Sequence, residues 1–406
     1  MRFAKTLAVI SAAALVAGCA GNDPGMVPVE RREGSLLIVG GAMKVENAVL
    51  YQRMAELGAA PVGVLPTASG VPEESGPGTV EDFGKNGVVA SVIDVNFKAP
   101  EEAANPWKAD AIRASRSIFF TGGDQTRIID AFRPATGDTV GYLALWSVLD
   151  ADGVIGGTSA GAAMMSDPCI RWGNSTEALL IGASEAPDHG VRIGRGMGFF
   201  PYGLTDQHFL RRGRLGRMIV AQMAAGMTRG FGVEENRALQ VDLHTHTLTA
   251  VGGSRAVLVA DSSTAVADGL ARRGIRISLL SDGDTMDGRR GTVTVAPDSG
   301  RALVIEPLTG TTTLFPGEIW EPYRVADVLA TMALERRAEA RSSDANFDLI
   351  FTADNRSRFF LAPGESDPTK ADFTAVSVNL DIIPREGADA ARSELLAKIA
   401  SEAPAN

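Results

Sequence analysis

The sequence predicts an α/β fold built on a doubly wound parallel sheet. Two observations carry this. Short, continuous apolar runs recur between Ser35 and Ile155, as strands buried on both faces require, and helix-like segments separate them. Three glycine-rich turns, Gly40-Gly41, Gly122-Gly123 and Gly156-Gly157, accompany these strands. In doubly wound sheets the carboxyl ends of the strands are where ligands bind, and all three turns belong at that edge.

The first strand is Ser35-Leu36-Leu37-Ile38-Val39, ending in Gly40-Gly41. Similar runs follow at Val62 to Leu65, Val88 to Val95, Ser117 to Phe120 and Gly153 to Ile155. Glu46 to Leu57, Glu101 to Ala114 and Asp138 to Leu149 read as helices between them. Right-handed crossovers place such helices on both faces of the sheet. No G-x-G-x-x-G follows the first strand, which argues against a dinucleotide site. After an irregular stretch, Asp167 to Pro201, a helix is expected from Asp206 to Met227 and a hairpin over Ala238 to Val251, with further strands to about Leu280. From Arg289 the pattern changes to an antiparallel-looking stretch, a helix around Val325 to Ala340, a strand at Phe347 to Thr352 and an alanine-rich tail.

At 406 residues the chain fits one large α/β domain with an appendage. A 45% hydrophobic content and 45 glycines suit a globular enzyme with many tight turns, and a net charge of −10 argues against a general nucleic-acid binder. Met1-Arg2-Phe3-Ala4-Lys5 and the apolar Thr6 to Ala17 read as a signal peptide, too short for a membrane span. It ends in Leu15-Val16-Ala17-Gly18-Cys19, which resembles a bacterial lipobox. The resemblance implies lipidation of Cys19 and tethering to a membrane outside the cytoplasm, on the periplasmic side or at the outer membrane. The expected division is residues 1–19 signal peptide, 20–33 tether, 34–288 catalytic core and 289–406 a C-terminal accessory region. Cys169 is then left alone, a small buried residue with no base at a suggestive spacing.

The chemistry centres on Gly157-Thr158-Ser159-Ala160-Gly161, a G-x-S-x-G turn that exposes a serine between a strand and a helix. A serine hydroxyl needs a base, usually a histidine that an acid orients. The chain has four histidines. His189 lies in a Pro-Asp-His-Gly loop. His244 and His246 are placed two apart on a strand, with no third metal ligand at a telling spacing. His208 opens the polar and basic run Asp206-Gln207-His208-Phe209-Leu210-Arg211-Arg212-Gly213-Arg214-Leu215-Gly216-Arg217 and is the outstanding candidate base. Its arginines depress a neighbouring imidazole's pKa and suit a carboxylate-bearing ligand.

The turn Gly156-Gly157-Thr158-Ser159-Ala160-Gly161-Ala162, the segment Phe120-Thr121-Gly122-Gly123-Asp124-Gln125 and Asp206-Gln207-His208-Phe209 with its arginines together resemble cyanophycinase. Cyanophycinase is a serine peptidase of the group that includes aspartyl dipeptidase, and the resemblance covers roughly Gly34 to Met286. It implies a flavodoxin-like fold related to class I glutamine amidotransferases. It further implies exo-cleavage of cyanophycin, a poly-aspartate with arginine on its side-chain carboxyls, to β-Asp-Arg dipeptides without metal or cofactor. Position by position it makes Ser159 the nucleophile, His208 the base and Glu177 the best match for the acid, with Glu185 and Asp188 as further orienting acids. Ala160 and Gly122-Gly123 supply the oxyanion hole. Gln125, Asp206, Gln207, Arg212, Arg214 and Arg217 match substrate-pocket positions. Two other readings stand beside this one, an aspartyl or isoaspartyl dipeptidase acting on other acidic peptides and a non-catalytic binding lipoprotein. The region from Arg289 could form a small β-rich domain, a cover for the core or a homodimer contact.

Overall fold

Leu36 and Ile38 of the first strand are buried against one set of helices, and Leu37 and Val39 against another. That period-two division, with every side chain apolar, is what a central strand of a covered sheet demands. The computed structural model describes residues 33–186 and 188–402. The signal peptide, Cys19 and nearly all of the tether lie outside the described residues.

The elements run in order β1 (Ser35–Val39), α1 (Ala48–Gly58), β2 (Val62–Leu65), α2 (Pro72–Lys85), β3 (Ala90–Val92), α3 (Pro106–Ser115), β4 (Ser117–Phe120), α4 (Gln125–Phe132), α5 (Val140–Asp150), β5 (Val154–Thr158) and α6 (Ala160–Ala163). There follow β6 (Cys169–Gly173), α7 (Ser175–Ile181), β7 (Val191–Gly194), β8 (Leu204–Asp206), α8 (Leu215–Ala224), β9 (Arg229–Val233), β10 (Ala238–Asp242), β11 (Thr247–Val251), β12 (Val257–Asp261), β13 (Val266–Asp268), β14 (Ala271–Leu280) and β15 (Thr285–Asp287). The chain closes with β16 (Val293–Thr294), β17 (Ala302–Leu303), β18 (Thr311–Glu318), α9 (Arg324–Leu334), β19 (Glu339–Ser343), β20 (Phe347–Thr352), β21 (Arg358–Leu361), β22 (Phe373–Pro384) and α10 (Ala388–Glu402).

Five strands pair in parallel in the order β3-β2-β4-β5-β1. Helices α1 and α2 pack on one face through Leu50, Met54 and Phe83, and α3, α4 and α5 on the other through Ile112, Phe132 and Leu145. This is the doubly wound, flavodoxin-like layering. Side-chain caps start three of these helices: Asn105 accepts from Trp107 N–H, Asp124 from Thr126 N–H and Thr139 from Tyr142 N–H. Beyond β1 the sheet continues antiparallel through β10, β11, β15 and β16.

A second sheet runs β18-β19-β20-β22-β14-β12-β9-β8. It draws strands from both sides of residue 288. β14 pairs with β12 on one side and with β22 on the other, and one apolar cluster joins Leu215, Met218 and Ile277 to Val325, Phe351 and Leu380. The C-terminal strands therefore complete a sheet that the preceding region begins, because β14 needs β22 to pair its outer edge. Two expectations change. The helix expected from Asp206 is α8 alone, starting at Leu215, so His208 lies in the turn before it. His244 and His246 lie in the turn between β10 and β11. No helix among the described residues is long and apolar enough to cross a membrane.

Candidate active site

The site forms where β1, β4 and β5 end. β5 runs straight into Ser159, whose φ of 54° and ψ of −106° are unusual for a residue with a side chain. Glycines flank it because the chain doubles back tightly: a Cβ on Gly157 would stand 2.6 Å from the Gly161 carbonyl oxygen. The Ser159 N–H donates to the Val39 carbonyl at 3.1 Å, which pins the turn to β1, and α6 begins at Ala160. Gly122, just beyond β4, lies against the serine, with a Cβ there falling 3.3 Å from Ser159 Cβ.

His208 reaches the serine from the second sheet. Its N–H donates to the Gly40 carbonyl at 2.6 Å, and its ring lies on Gly41, where any Cβ would come within 2.3 Å of the imidazole. Its Nε2 stands 2.9 Å from Ser159 Oγ, and its Nδ1 stands 2.6 Å from Glu235 Oε1. With Nδ1–H donating to the carboxylate, Nε2 is left to accept from the serine hydroxyl. Glu235 follows β9 by two residues as His208 follows β8, and the parallel pairing of β8 with β9 brings the two together. Burial lowers the imidazole's pKa, Glu235 works against this, and the Arg212 and Arg214 charges push it down further. The base is therefore neutral at pH 7 and able to take a proton.

Glu177, the acid expected from the sequence, lies elsewhere. Asn174 caps its N–H, and its carboxylate accepts from Gly190 N–H at 3.0 Å and faces His189 Nδ1 at 3.3 Å. His189 in turn reaches Glu402 at the end of α10, at 2.9 Å. α7 packs on α8 and α10, so Glu177 ties the C-terminal helix down and does not orient His208. Neither Glu185 nor Asp188 takes the position at Nδ1, which Glu235 occupies. The trace in the sequence is Glu234-Glu235, an acidic pair closing the apolar strand Phe231-Gly232-Val233.

No family model matches the chain. Among curated proteins it is 29% identical to the cyanophycinase of Geminocystis herdmanii over 265 residues, covering 62% of this chain and 92% of that protein. It is 30% identical to the cyanophycinase of Synechococcus elongatus over 269 residues, covering 62% and 78%. A crystallised peptidase from an acI-B1 actinobacterium superposes with a TM-score of 0.44 at 17% identity, covering 66% of this chain and 97% of that one. The chain belongs to the cyanophycinase family.

The pocket residues inferred from that likeness fall into two groups in this cyanophycinase-family chain. Asp206 and Arg217 form a buried, two-pronged ion pair at 2.8 and 2.5 Å, and Arg217 also donates to the Gly173 carbonyl at 2.8 Å. Gln125 donates to the Ile170 and Arg171 carbonyls at 2.9 and 3.0 Å, fastening β6 beside the Gly122-Gly123 turn. These three side chains brace the site. Arg214 is intermediate: it donates to the Gln207 carbonyl at 2.6 Å, and burial beside Arg217 pushes its pKa down to about 9 against the pull of Asp206. Arg212 is exposed, and its charge reaches His208. Gln207 is buried next to His208 with no hydrogen-bond partner on its Oε1, and Thr158 Oγ1, on the cleft wall, is unpartnered too. Cys169 is buried and its thiol pushed up to about 12, as suits a packing residue. Among the described residues no group of three or more His, Cys, Asp or Glu side chains could hold a metal ion.

Proposed function

We propose that this protein is a serine exopeptidase that hydrolyses cyanophycin to β-Asp-Arg dipeptides through an acyl-enzyme. The observation that carries this is the line Ser159–His208–Glu235, at 2.9 and 2.6 Å, on a strained strand-to-helix elbow. His208 Nε2 takes the Ser159 proton as Oγ attacks the scissile aspartyl carbonyl. The Ala160 N–H and an N–H of Gly122-Gly123 receive the negative oxygen, each donor contributing about 3–4 kcal/mol to the transition state. His208 then protonates the departing amine, and the C–N bond breaks. Water, deprotonated by the same imidazole, attacks the ester and frees Ser159. Glu235 holds the Nδ1–H and stabilises the imidazolium.

Specificity rests on Arg212 and Arg214 for substrate carboxylates and on the unpartnered amide oxygen of Gln207 for a substrate N–H. A cleft of about 260 Å³ on Ser159 and His208 supports release of small products from a chain end. The reading extends to location: lipidation of Cys19 tethers the enzyme outside the cytoplasm, where an insoluble polymer would be met. The deciding experiment incubates the protein with insoluble cyanophycin and with α- and β-aspartyl dipeptides, beside Ser159→Ala. Release of β-Asp-Arg from the polymer by the unmutated protein alone supports the reading. Turnover of dipeptides without any attack on polymer points instead to an aspartyl dipeptidase. Cys19→Ala should move the protein from the membrane to the soluble fraction.

A further inference from the structure

The cleft over Ser159 and His208 has two unlike walls. One carries Thr158, Ser159 and His208. The other belongs to α1 and α2, where Tyr51, Thr79 and Asp82 face the cleft. The second wall is acidic. Asp82 keeps 38% of its side chain exposed, and its cation neighbour, Lys85, lies 3.4 Å away. Lys85 makes a shorter pair, 2.9 Å, with Glu81, so its single charge is shared between two carboxylates. The phenol of Tyr51 is pushed up to about 12, by burial first and then by the charges of Asp82 and Glu46, so this neighbour stays uncharged. An exposed carboxylate on this wall leaves the cleft complementary to a ligand that is cationic at that end.

We propose that Asp82 is a specificity residue that receives a cationic side chain, guanidinium or ammonium, of the peptide lying across Ser159. The inference rests on the peptidase reading of this site and adds to it a residue on α2. A charge-assisted hydrogen bond to a half-exposed carboxylate distinguishes a cationic from a neutral side chain of the same shape by about tenfold in affinity.

Two β-aspartyl dipeptides test it, one ending in arginine and one in citrulline, which keeps the shape and loses the charge. Equilibrium binding to the Ser159→Ala protein, by calorimetry, should favour the arginine peptide about tenfold. Adding Asp82→Asn should abolish that ratio by weakening the arginine peptide alone, and Asp82→Glu should restore most of it. Circular dichroism should show both variants folded, since Asp82 sits on a helix surface. No preference in Ser159→Ala, a ratio unchanged by Asp82→Asn, or equal weakening of both peptides overturns the proposal. If the unmutated protein releases nothing from cyanophycin and cleaves neither peptide while Ser159→Ala binds both with the expected ratio, the reaction assignment falls and the cationic subsite stands.

Discussion

Replacing Glu235 by Gln separates the two candidate acids. The carboxylate lies 2.6 Å from His208 Nδ1 and keeps 23% of its side chain exposed. The amide keeps the shape, but it can present N–H to Nδ1 and so select the tautomer that cannot accept from Ser159. In the serine-protease triad the equivalent change costs about 10⁴ in kcat. Partial solvation of Glu235 lowers the stake here, and a loss of about 10²–10⁴, or roughly 3–5 kcal/mol, is expected. The pH profile supplies a second readout. Activity needs neutral His208 and falls as pH drops through its pKa. Glu235 holds that pKa up against burial and the arginines, so Glu235→Gln should move the acid limb to lower pH while lowering the plateau. Glu177→Gln should leave kcat and the acid limb in place, since Glu177 meets His189 and Gly190. Initial rates of β-Asp-Arg release from cyanophycin between pH 4 and 9 measure all of this. A Glu235→Gln enzyme with more than a tenth of normal kcat, or a Glu177→Gln enzyme as impaired as it, would refute the assignment.

Arg212→Met removes a charge that depresses His208, so the acid limb should shift to higher pH, and KM for carboxylate-bearing substrates should rise about tenfold. Asp206→Asn leaves Arg217 buried and poorly paired, a cost of about 3–5 kcal/mol that thermal unfolding should show as a Tm drop on the order of 5 °C or more. Gly41→Ala places a methyl group against the His208 ring at a backbone φ of 111°, so kcat should fall about 100-fold, read in steady-state assays, while circular dichroism stays unchanged. A chain ended after Gly288 strips β22 from β14 and should aggregate in size-exclusion chromatography, whereas a soluble, active fragment would contradict the shared second sheet.

The serine turn was legible because its evidence is local. Five residues, Gly157 to Gly161, specify a strand end, a tight turn and a helix start, and the apolar runs around them specify the parallel sheet. His208 was legible through scarcity, as one of four histidines and the one in a dense polar run. Its expected helix was not found, because Gly213, at φ 55°, and the capping of the preceding N–H groups hold a turn there instead. Glu235 was out of reach for a different reason. It lies 27 residues from His208, and the two meet only because α8 carries the chain from β8 to its parallel neighbour β9. Nothing within either segment encodes that pairing. The place of the C-terminal strands was out of reach on similar grounds, since pairing across β14 and β22 spans about a hundred residues.

The arginines show how the second sheet enters the chemistry. In the sequence Arg212, Arg214 and Arg217 look like one basic patch, and three uncompensated guanidinium groups would repel one another beside a base that must stay neutral. The fold assigns them different work. Arg217 is neutralised by Asp206, Arg214 is half-withdrawn onto the Gln207 carbonyl, and Arg212 is left in the open. Holding that arrangement requires the turn between His208 and Arg214 to be fixed, and the groups that fix it come from three places. Glu234 accepts from the Leu210 and Arg211 N–H groups at 2.6 and 3.0 Å, and Ser175 donates to the Gly213 carbonyl at 2.5 Å. From the C-terminal region, Tyr323 N–H donates to the Leu210 carbonyl at 2.9 Å, and the Trp320 carbonyl closes on Gly213, where a Cβ would stand 2.1 Å away. Ser159 thus rests on the parallel sheet and on Thr205 of β8, which donates to the Ala162 carbonyl at 3.1 Å, whereas the turn carrying His208 and its arginines also rests on residues beyond 288. Changes in the C-terminal strands are therefore expected to reach the site through the turn that carries His208 and Arg212, and through the serine elbow less.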